Sequence, residues 1–583
     1  VPTAFLPGIV GQLYRQFALT IAIATVFSSI NALTLSPALA GVLLRPPSGK
    51  GFIGFRIFNA LFDRLTGAYG AIVRLLIRLA IVAVPASIAI LVVSFFLYGR
   101  IPTGFIPQED EGWCIVNVQL PPGASFQRTD EVLTRLASQA QEIPGIRTVI
   151  AVTGYSMIDG AASSSRGVLF VIFENWDERG TESHQSRILQ ALNGRFISEL
   201  DAVAMAFPLP SLPGLGTSGG LAAQLEDLTG AGPEALADVT ASFIGQASQD
   251  PSIGVMFTSF DASSPQLFVD IDREQMETLA LSPRDVFGTL GAALGSAYVN
   301  DFTAFGKTFQ VRLQSRADQR ATPEDIRALD VRNANGDMVP FGSFARVVEQ
   351  TGPAVVSRHN VYTAAKVISA PAPGVPGSQT MDAVERLGRD LLGDDYGIEW
   401  TELAYQQKAA SGSAGMVFAF GLLLVYLVLA AQYESWTLPI SVCLSVPLAF
   451  LGVALGLLSR GLQNDVYAQI GLVLLIGLAA KSAILIVEFA RDLRAKGRPI
   501  REAALEASTL RFRAILMTAL SFVLGVIPLA VASGAGAESR IALGTTVLGG
   551  MVAATLFGVF LVPVFYVVVQ GTTEGLAKMF RRG

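Results

Sequence analysis

Long apolar stretches punctuate the chain at about 17–44, 79–98, 413–432, 438–459, 466–490, 514–533 and 541–569. A helix needs about 20 mostly apolar residues to cross a bilayer, so each predicts a spanning segment. Asn31 and Ser36-Pro37 interrupt the first, Pro85 lies inside the second, and the last exceeds one bilayer thickness. Residues 52–69 follow a different pattern. Phe55, Phe58, Phe62, Leu65 and Tyr69 recur at spacings of three and four, with Arg56, Asn59, Asp63 and Arg64 largely elsewhere on the wheel. That predicts an amphipathic helix in the membrane interface.

From Arg100 onward the pattern is that of a soluble α+β region of roughly 310 residues. Strands are predicted at 113–120, 148–156, 168–176 and 202–209, with helices at 127–143 and 183–200. The order βαββαβ is that of a split-βαβ, ferredoxin-like unit. A second copy opens with strand 221–228, helix 233–247 and strand 253–260. It closes with strand 366–371, helix 379–392 and strand 397–403. Residues 266–353 form an insertion between its halves, in which Asn335-Gly336 predicts a hairpin tip.

Composition agrees with a membrane protein: 51% of the 583 residues are hydrophobic and only 15% charged, against about a quarter in soluble domains. A net charge of −5 gives no support for nucleic-acid binding. Cys114 and Cys443 provide no disulfide framework, and His184 and His359 are too few and too far apart for a metal cluster. No nucleophile–base pair, metal motif or phosphate loop argues for an enzyme, and no cofactor is implied.

Charge sets the topology. Arg491, Arg494, Lys496, Arg498, Arg501, Arg511 and Arg513 form one basic connection. Arg45, Lys50, Arg56, Arg64, Arg74 and Arg78 form a second, and Lys578, Arg581 and Arg582 a third. Alternating spans put all three on one side, which the positive-inside rule makes cytoplasmic. The α+β region then lies outside, as does the first residue. The opening VPTAFLPG has neither methionine nor a charged leader. The expectation is therefore the C-terminal part of a larger transporter.

The candidate chemistry in the membrane is Lys481, inside GLAAKSAILIVEFARDL. A charge at that depth costs roughly 2.5–3.5 kcal/mol or more. It must pair with a carboxylate or lose its proton. Glu488 lies two turns on, near Arg491 and Arg494, either of which could pair with it. On the next segment Arg511 and Thr518 share a face. Asp465, Glu488 and Glu538 all lie near segment ends, so a mid-membrane acidic partner must come from outside this chain. Gly549-Gly550, with Ala553 and Ala554, predicts close helix packing.

GLAAKSAILIVEFARDL, RFRAILMTALSFVLGVIPLAVASGAG, GGMVAATLFGVFLVPVFYVVV and AAQYESWTLPISV closely resemble the resistance-nodulation-division (RND) transporters, in the hydrophobe/amphiphile efflux branch of acriflavine-resistance type. GQLYRQFALT, IPTGFIPQEDEG, GSAYVNDF and NGDMVPF extend the resemblance along nearly the whole chain.

The resemblance implies a polytopic α-helical membrane protein with a large periplasmic α+β region. It implies a homotrimer in the bacterial inner membrane that expels hydrophobic and amphiphilic compounds by drug/proton antiport, with a periplasmic adaptor and an outer-membrane channel. Residues 1–50 would hold the first spanning segment, 51–70 the interfacial helix and 71–99 the second span. Residues 100–214 would be one porter subdomain, 215–265 with 354–405 another, and 266–353 the docking domain. Residues 406–570 would form a five-helix bundle and 571–583 a cytoplasmic tail.

By position, Lys481, Arg511 and Thr518 match the family's proton relay, whose aspartate pair lies in the earlier half. Ile115, Asn117 and Gln119 match drug-pocket positions; they also alternate to one face of their strand. Tyr155 and Met157 match a mobile loop between two pockets, and Phe170, Met205, Phe207 and Leu209 match further pocket positions. Met157 and Met205 keep the site apolar and adaptable. Two other readings stand beside this one. A sister RND branch exports heavy metals but needs clustered soft ligands, and the ten methionines are scattered. A non-pumping receptor or scaffold would merely bind ligands in its porter region.

Overall fold

Helices of membrane length flank a mixed region in the computed structural model, which describes residues 8–44, 53–180, 183–217, 219–410 and 413–580. α1 (Gly8–Leu33) and α2 (Leu35–Leu43) form the first span. The helix begins at Gly8 rather than near residue 17 because Val10 and Tyr14 are buried against Phe105, Val466 and Ile470. The break at Pro46, Pro47 and Gly51 lies outside the described residues, as do Arg45, Lys50, Arg581 and Arg582.

α3 (Ile53–Arg78) extends the amphipathic run past Tyr69, so residue 71 falls inside this helix. Phe62, Tyr69, Val73 and Ile77 form its buried stripe. The Tyr69 hydroxyl donates to the Val559 carbonyl at 2.9 Å. Part of the apolar face thus packs on protein, while Ile57, Phe58, Leu61 and Leu65 remain exposed. α4 (Ala80–Tyr98) is the second span.

β1 (Trp113–Gln119), α5 (Phe126–Gln141), β2 (Ile146–Ser156), β3 (Ala161–Phe173), α6 (Trp176–Arg179), α7 (Gln185–Phe196) and β4 (Val203–Phe207) follow. The strands form an antiparallel sheet in the order β2-β3-β1-β4, the arrangement of a split-βαβ unit. Cys114, Val116, Val118, Leu169 and Val171 bury one face of it against Leu133, Leu136, Leu192 and Phe196 of α5 and α7. Gly167 is tight: a Cβ there would lie 2.5 Å from the Leu133 side chain.

The second unit opens with β5 (Leu221–Asp227), α8 (Pro233–Ala247) and β6 (Ile253–Thr258). The insertion comprises β7 (Ser264–Ile271), α9 (Arg273–Thr278), α10 (Pro283–Leu290), β8 (Ala297–Ala304), β9 (Lys307–Leu313), α11 (Pro323–Arg327), β10 (Asp330–Arg332), β11 (Met338–Pro340) and β12 (Ala345–Gly352). β7 and β12 pair from Ser264↔Gly352 to Ile271↔Ala345, so the insertion leaves and returns through a two-stranded ribbon. Asn335-Gly336 does form the β10–β11 turn. Asn333 Oδ1 accepts from the backbone of Asn335 and Asp337, and Gly336 has φ +95°.

β13 (Ser357–His359), β14 (Tyr362–Pro371), α12 (Gly377–Leu391) and β15 (Tyr396–Trp400) close the second unit. Its sheet runs β13-β14-β5-β15, with β6 also on β14. Leu225 and Val367 pack against Leu236, Phe243 and Val384 from α8 and α12. α13 (Glu402–Ala410), which the sequence pattern did not reveal, leads back to the bundle.

The bundle comprises α14 (Ser413–Tyr433), α15 (Leu438–Cys443), α16 (Ala449–Ser459), α17 (Val466–Ala495), α18 (Ile500–Ala530) and α19 (Ala537–Phe580). The apolar stretch 438–459 is jointed by a 3-10 turn at Val446–Leu448, where Pro447 has no N–H to donate. α18 starts at Ile500, not near 514, because Arg501, Glu502 and Glu506 continue the helix beyond its apolar part. Among the described residues, seven helical spans are long and apolar enough to cross a membrane. Gly452 and Gly549 bring α16 and α19 into backbone contact: a Cβ on Gly452 would lie 2.0 Å from the Gly549 carbonyl oxygen.

Candidate functional site

The first sheet turns its second face away from its helices. Strand register puts Ile115 opposite Phe170 and Phe207, Asn117 opposite Val168 and Met205, and Gln119 opposite Arg166 and Val203. Alternation therefore gathers Ile115, Asn117, Gln119, Phe170, Met205 and Phe207 on one face. Asn117 is 5% exposed, and its Oδ1 is buried without a hydrogen-bond partner among the described residues. A buried unpaired polar atom costs about 1–3 kcal/mol, so this one is available to a ligand donor.

That face meets the second unit. The Phe207 and Phe257 rings stack at 4.9 Å and 22°. Arg166 links the units: Nη1 donates to Gln119 Oε1 at 2.9 Å and Nη2 to the Ser259 carbonyl at 2.5 Å. Asp159 Oδ2 lies 3.5 Å from Nη1, and Asp159 Oδ1 accepts from the Ser259 hydroxyl at 2.5 Å. Burial lowers the Arg166 pKa, opposed by Asp159 and Asp261.

Beside this link lies a cleft of about 390 Å³. Met157, Ser163 and Arg166 line it from the first unit, and Thr217, Lys366 and Glu402 from the second. Lys366 is ion-paired with Glu402 and donates to Thr217 at 3.2 Å.

Met157 is thus the one expected pocket residue that lines the cleft; the others stand apart from its lining. Tyr155, opposite Ala162, is 41% exposed. Leu209 lies past β4, where its carbonyl accepts from Gln108 Nε2 at 2.7 Å. The polar residues Arg166, Lys366 and Glu402 were missed by sequence reasoning. Their partners are remote in the chain, so no local pattern marked them.

In the bundle, Ala480, Ala483, Ile486 and Val487 of α17 share a core with Ile515 of α18. Lys481 points out of that core and is exposed, with no ion pair or hydrogen bond among the described residues. One turn before it, Gly477 ends an apolar groove of about 310 Å³ between α1, α14 and α17, lined by Tyr14, Phe17, Gly421, Val473 and Leu474 among others. Arg511 does reach α17: its guanidinium carbon is 3.5 Å from the Phe489 ring centroid, and its Nε is buried without an acceptor among the described residues. Thr518 is exposed, its hydroxyl donating to the Ala514 and Ile515 carbonyls at 3.0 and 2.9 Å.

The structure therefore sets Arg511 against Phe489 of α17, with no hydrogen bond between Arg511 and Lys481 among the described residues. Arg494 does not serve Glu488 either. It holds Glu574 of α19 through two hydrogen bonds of 3.0 and 2.7 Å, while Arg491 lies 3.4 Å from Asp492.

The profile of the AcrB/AcrD/AcrF family matches residues 1–570. The chain belongs to the AcrB/AcrD/AcrF family. Relatives of this family resemble it along almost its full length. The multidrug/solvent efflux pump membrane transporter MepB of Pseudomonas putida is 39% identical over 579 residues, covering 98% of this chain and 55% of its own. The toluene efflux pump membrane transporter TtgB, also of Pseudomonas putida, is 38% identical over 579 residues with the same coverage. The multidrug export protein AcrF of Escherichia coli is 37% identical over 595 residues, covering 99% of this chain and 56% of its own. The chain thus spans about half the length of the curated relatives it matches. Over that length it carries, among the described residues, seven helices long and apolar enough to cross a membrane and a large α+β region.

Proposed function

We propose that the protein expels hydrophobic and amphiphilic small molecules from the inner membrane and periplasm by proton antiport. The observation that carries this reading is the sheet face of Ile115, Phe170, Met205 and Phe207, whose polar members are the unpartnered Asn117 Oδ1 and the paired Gln119 and Arg166, next to the cleft that Met157 lines. A mostly apolar surface with few polar groups suits varied amphiphiles. Likeness to relatives named for drugs, solvents and toluene favours organic cargo over metal ions.

In this reading residues 100–214, and 215–265 with 354–405, are two porter subdomains. The insertion at 266–353 docks the outer-membrane channel. A periplasmic adaptor completes the assembly, and three copies of the protein form the pump. Lys481, Arg511 and Thr518 are the proton relay's responding half. The exposed face of α17 that carries Lys481 then receives an acidic pair from a part of the pump that this chain does not include. Protonation of that pair would release Lys481 and let the helices repack, which is how a local charge change becomes motion.

The test is dye accumulation in cells that carry the full-length transporter as their sole efflux pump. Asn117→Leu with Phe207→Ala should raise accumulation of amphiphilic dyes several-fold at normal expression. Unchanged accumulation would overturn the assignment of this face to cargo.

A further inference from the structure

The second unit carries a separate group of potential metal ligands. Glu226 lies on β5, His359 ends β13 and Glu399 lies on β15. In a flat sheet β13 and β15 are three strand spacings apart, about 14 Å. Here His359 Nε2 is 3.5 Å from Glu399 Oε2, so the two side chains reach each other across the intervening strands. Asn360 Nδ2 fixes the same carboxylate oxygen at 2.7 Å. One donor atom from each of Glu226, His359 and Glu399 falls within 4.8 Å of the other two.

A second observation concerns Glu226 alone. It is 3% exposed, and its Oε1 is buried with no hydrogen-bond partner among the described residues. Its strand neighbour on β15 is Gly397, above which Glu226 Oε2 lies; a Cβ on Gly397 would come within 3.4 Å of it. An ionised carboxylate held in this way is costly unless a cation or a proton compensates it.

We propose that Glu226, His359 and Glu399 form a binding site for a first-row divalent cation such as Zn²⁺, which clasps the β13–β14 hairpin to β15. One imidazole nitrogen and two carboxylates are a donor set that zinc accepts, with water completing the tetrahedron. Donor atoms around tetrahedral zinc lie about 3.3 Å apart. Closing from the present separations needs only side-chain rotation, and His359 and Glu399 are exposed enough to turn, at 32% and 50%. Glu226 is the fixed ligand. The site is independent of the transport reading, because none of its residues lines the cleft.

The test is calorimetric titration of Zn²⁺ into the purified full-length protein, prepared without a polyhistidine tag. One ion per chain should bind. Glu226→Gln and His359→Gln should each weaken binding at least tenfold, and His184→Gln should leave it unchanged. Glu226→Gln keeps the shape of the buried side chain, and the more exposed His359→Gln carries the test if that variant misfolds. Absence of Zn²⁺ binding, or binding that survives His359→Gln at full affinity, overturns the proposal.

Discussion

The Arg511 guanidinium carbon lies 3.5 Å from the centre of the Phe489 ring, so a cation on α18 is seated on an aromatic face of α17. Such contacts contribute about 0.5–2 kcal/mol, more when desolvated. Arg511 Nε has no acceptor among the described residues, so the ring is its visible support. Phe489→Leu should destabilise the protein by about 1–2 kcal/mol, whereas Phe489→Trp should retain stability. Thermal denaturation in detergent distinguishes the two. Equal loss in both variants would mean that packing volume, not the ring face, holds Arg511.

Arg166 is expected to be intolerant of lysine. Its fork reaches Gln119 and the Ser259 carbonyl together, and a point-charge ammonium cannot reproduce that geometry. Arg166→Lys should loosen the contact between the two units and raise protease sensitivity near residues 259–263, with altered cargo preference. Unchanged proteolysis and preference in this variant would show that Arg166 does not hold the units together.

Much of this architecture was legible in the sequence, for identifiable reasons. Apolar runs gave the spans because the bilayer imposes length. Strict alternation placed Ile115, Asn117 and Gln119 on one face, and register added Phe170, Met205 and Phe207. Gly549 and Gly550 announced tight packing, and the structure supplies their neighbours: Gly452, and Leu475, whose side chain would lie 2.2 Å from a Cβ on Gly550. Long-range pairing was not legible. Arg166 and Ser259 are 93 residues apart. His359 reads as a lone loop histidine until the fold sets it beside Glu399. α18 outruns its apolar stretch because hydropathy marks the lipid-facing part of a helix and not its polar extension.

The Gly452–Gly549 contact gives a prediction of its own. Gly549→Ala would put a Cβ 2.3 Å from the Gly452 carbonyl oxygen, which is backbone and cannot turn aside. Overpacking of this kind costs roughly 1–3 kcal/mol or more. Expression of folded protein should fall markedly for Gly549→Ala but not for Gly558→Ala, where a Cβ meets nothing within 4 Å. Size-exclusion profiles in detergent check this.

Acid sensitivity should follow Asp110. Burial raises its carboxyl pKa, but Arg179, with the backbone N–H groups of Gln185 and Gly112, more than offsets burial and holds it below the ordinary value. Arg179 Nη2 is 2.6 Å from Asp110 Oδ1, and the two side chains are 1% and 7% exposed. A depressed carboxylate contributes stability that is fully present above its unfolded pKa near 4, and that is lost as pH falls through the folded value. Unfolding at pH 7 and at pH 3 should therefore differ. Arg179→Ala should cost roughly 3–5 kcal/mol at pH 7, because it strands a buried charge. It should also flatten the acid limb. An unaltered acid limb in Arg179→Ala would exclude this pair as its source.

In the proposed antiport, Lys481 is the residue on which coupling turns. It is an ionisable group in a membrane-length helix, exposed on a face of α17 that the described helices leave open, one turn beyond an apolar groove. The decisive measurement is cargo-driven proton flux in proteoliposomes of the full-length transporter under an imposed pH gradient. Lys481→Ala should abolish both proton flux and cargo export while cargo still binds with near-normal affinity. Export that continues at the wild-type rate in Lys481→Ala would contradict the proton-coupling role and leave this lysine a structural charge.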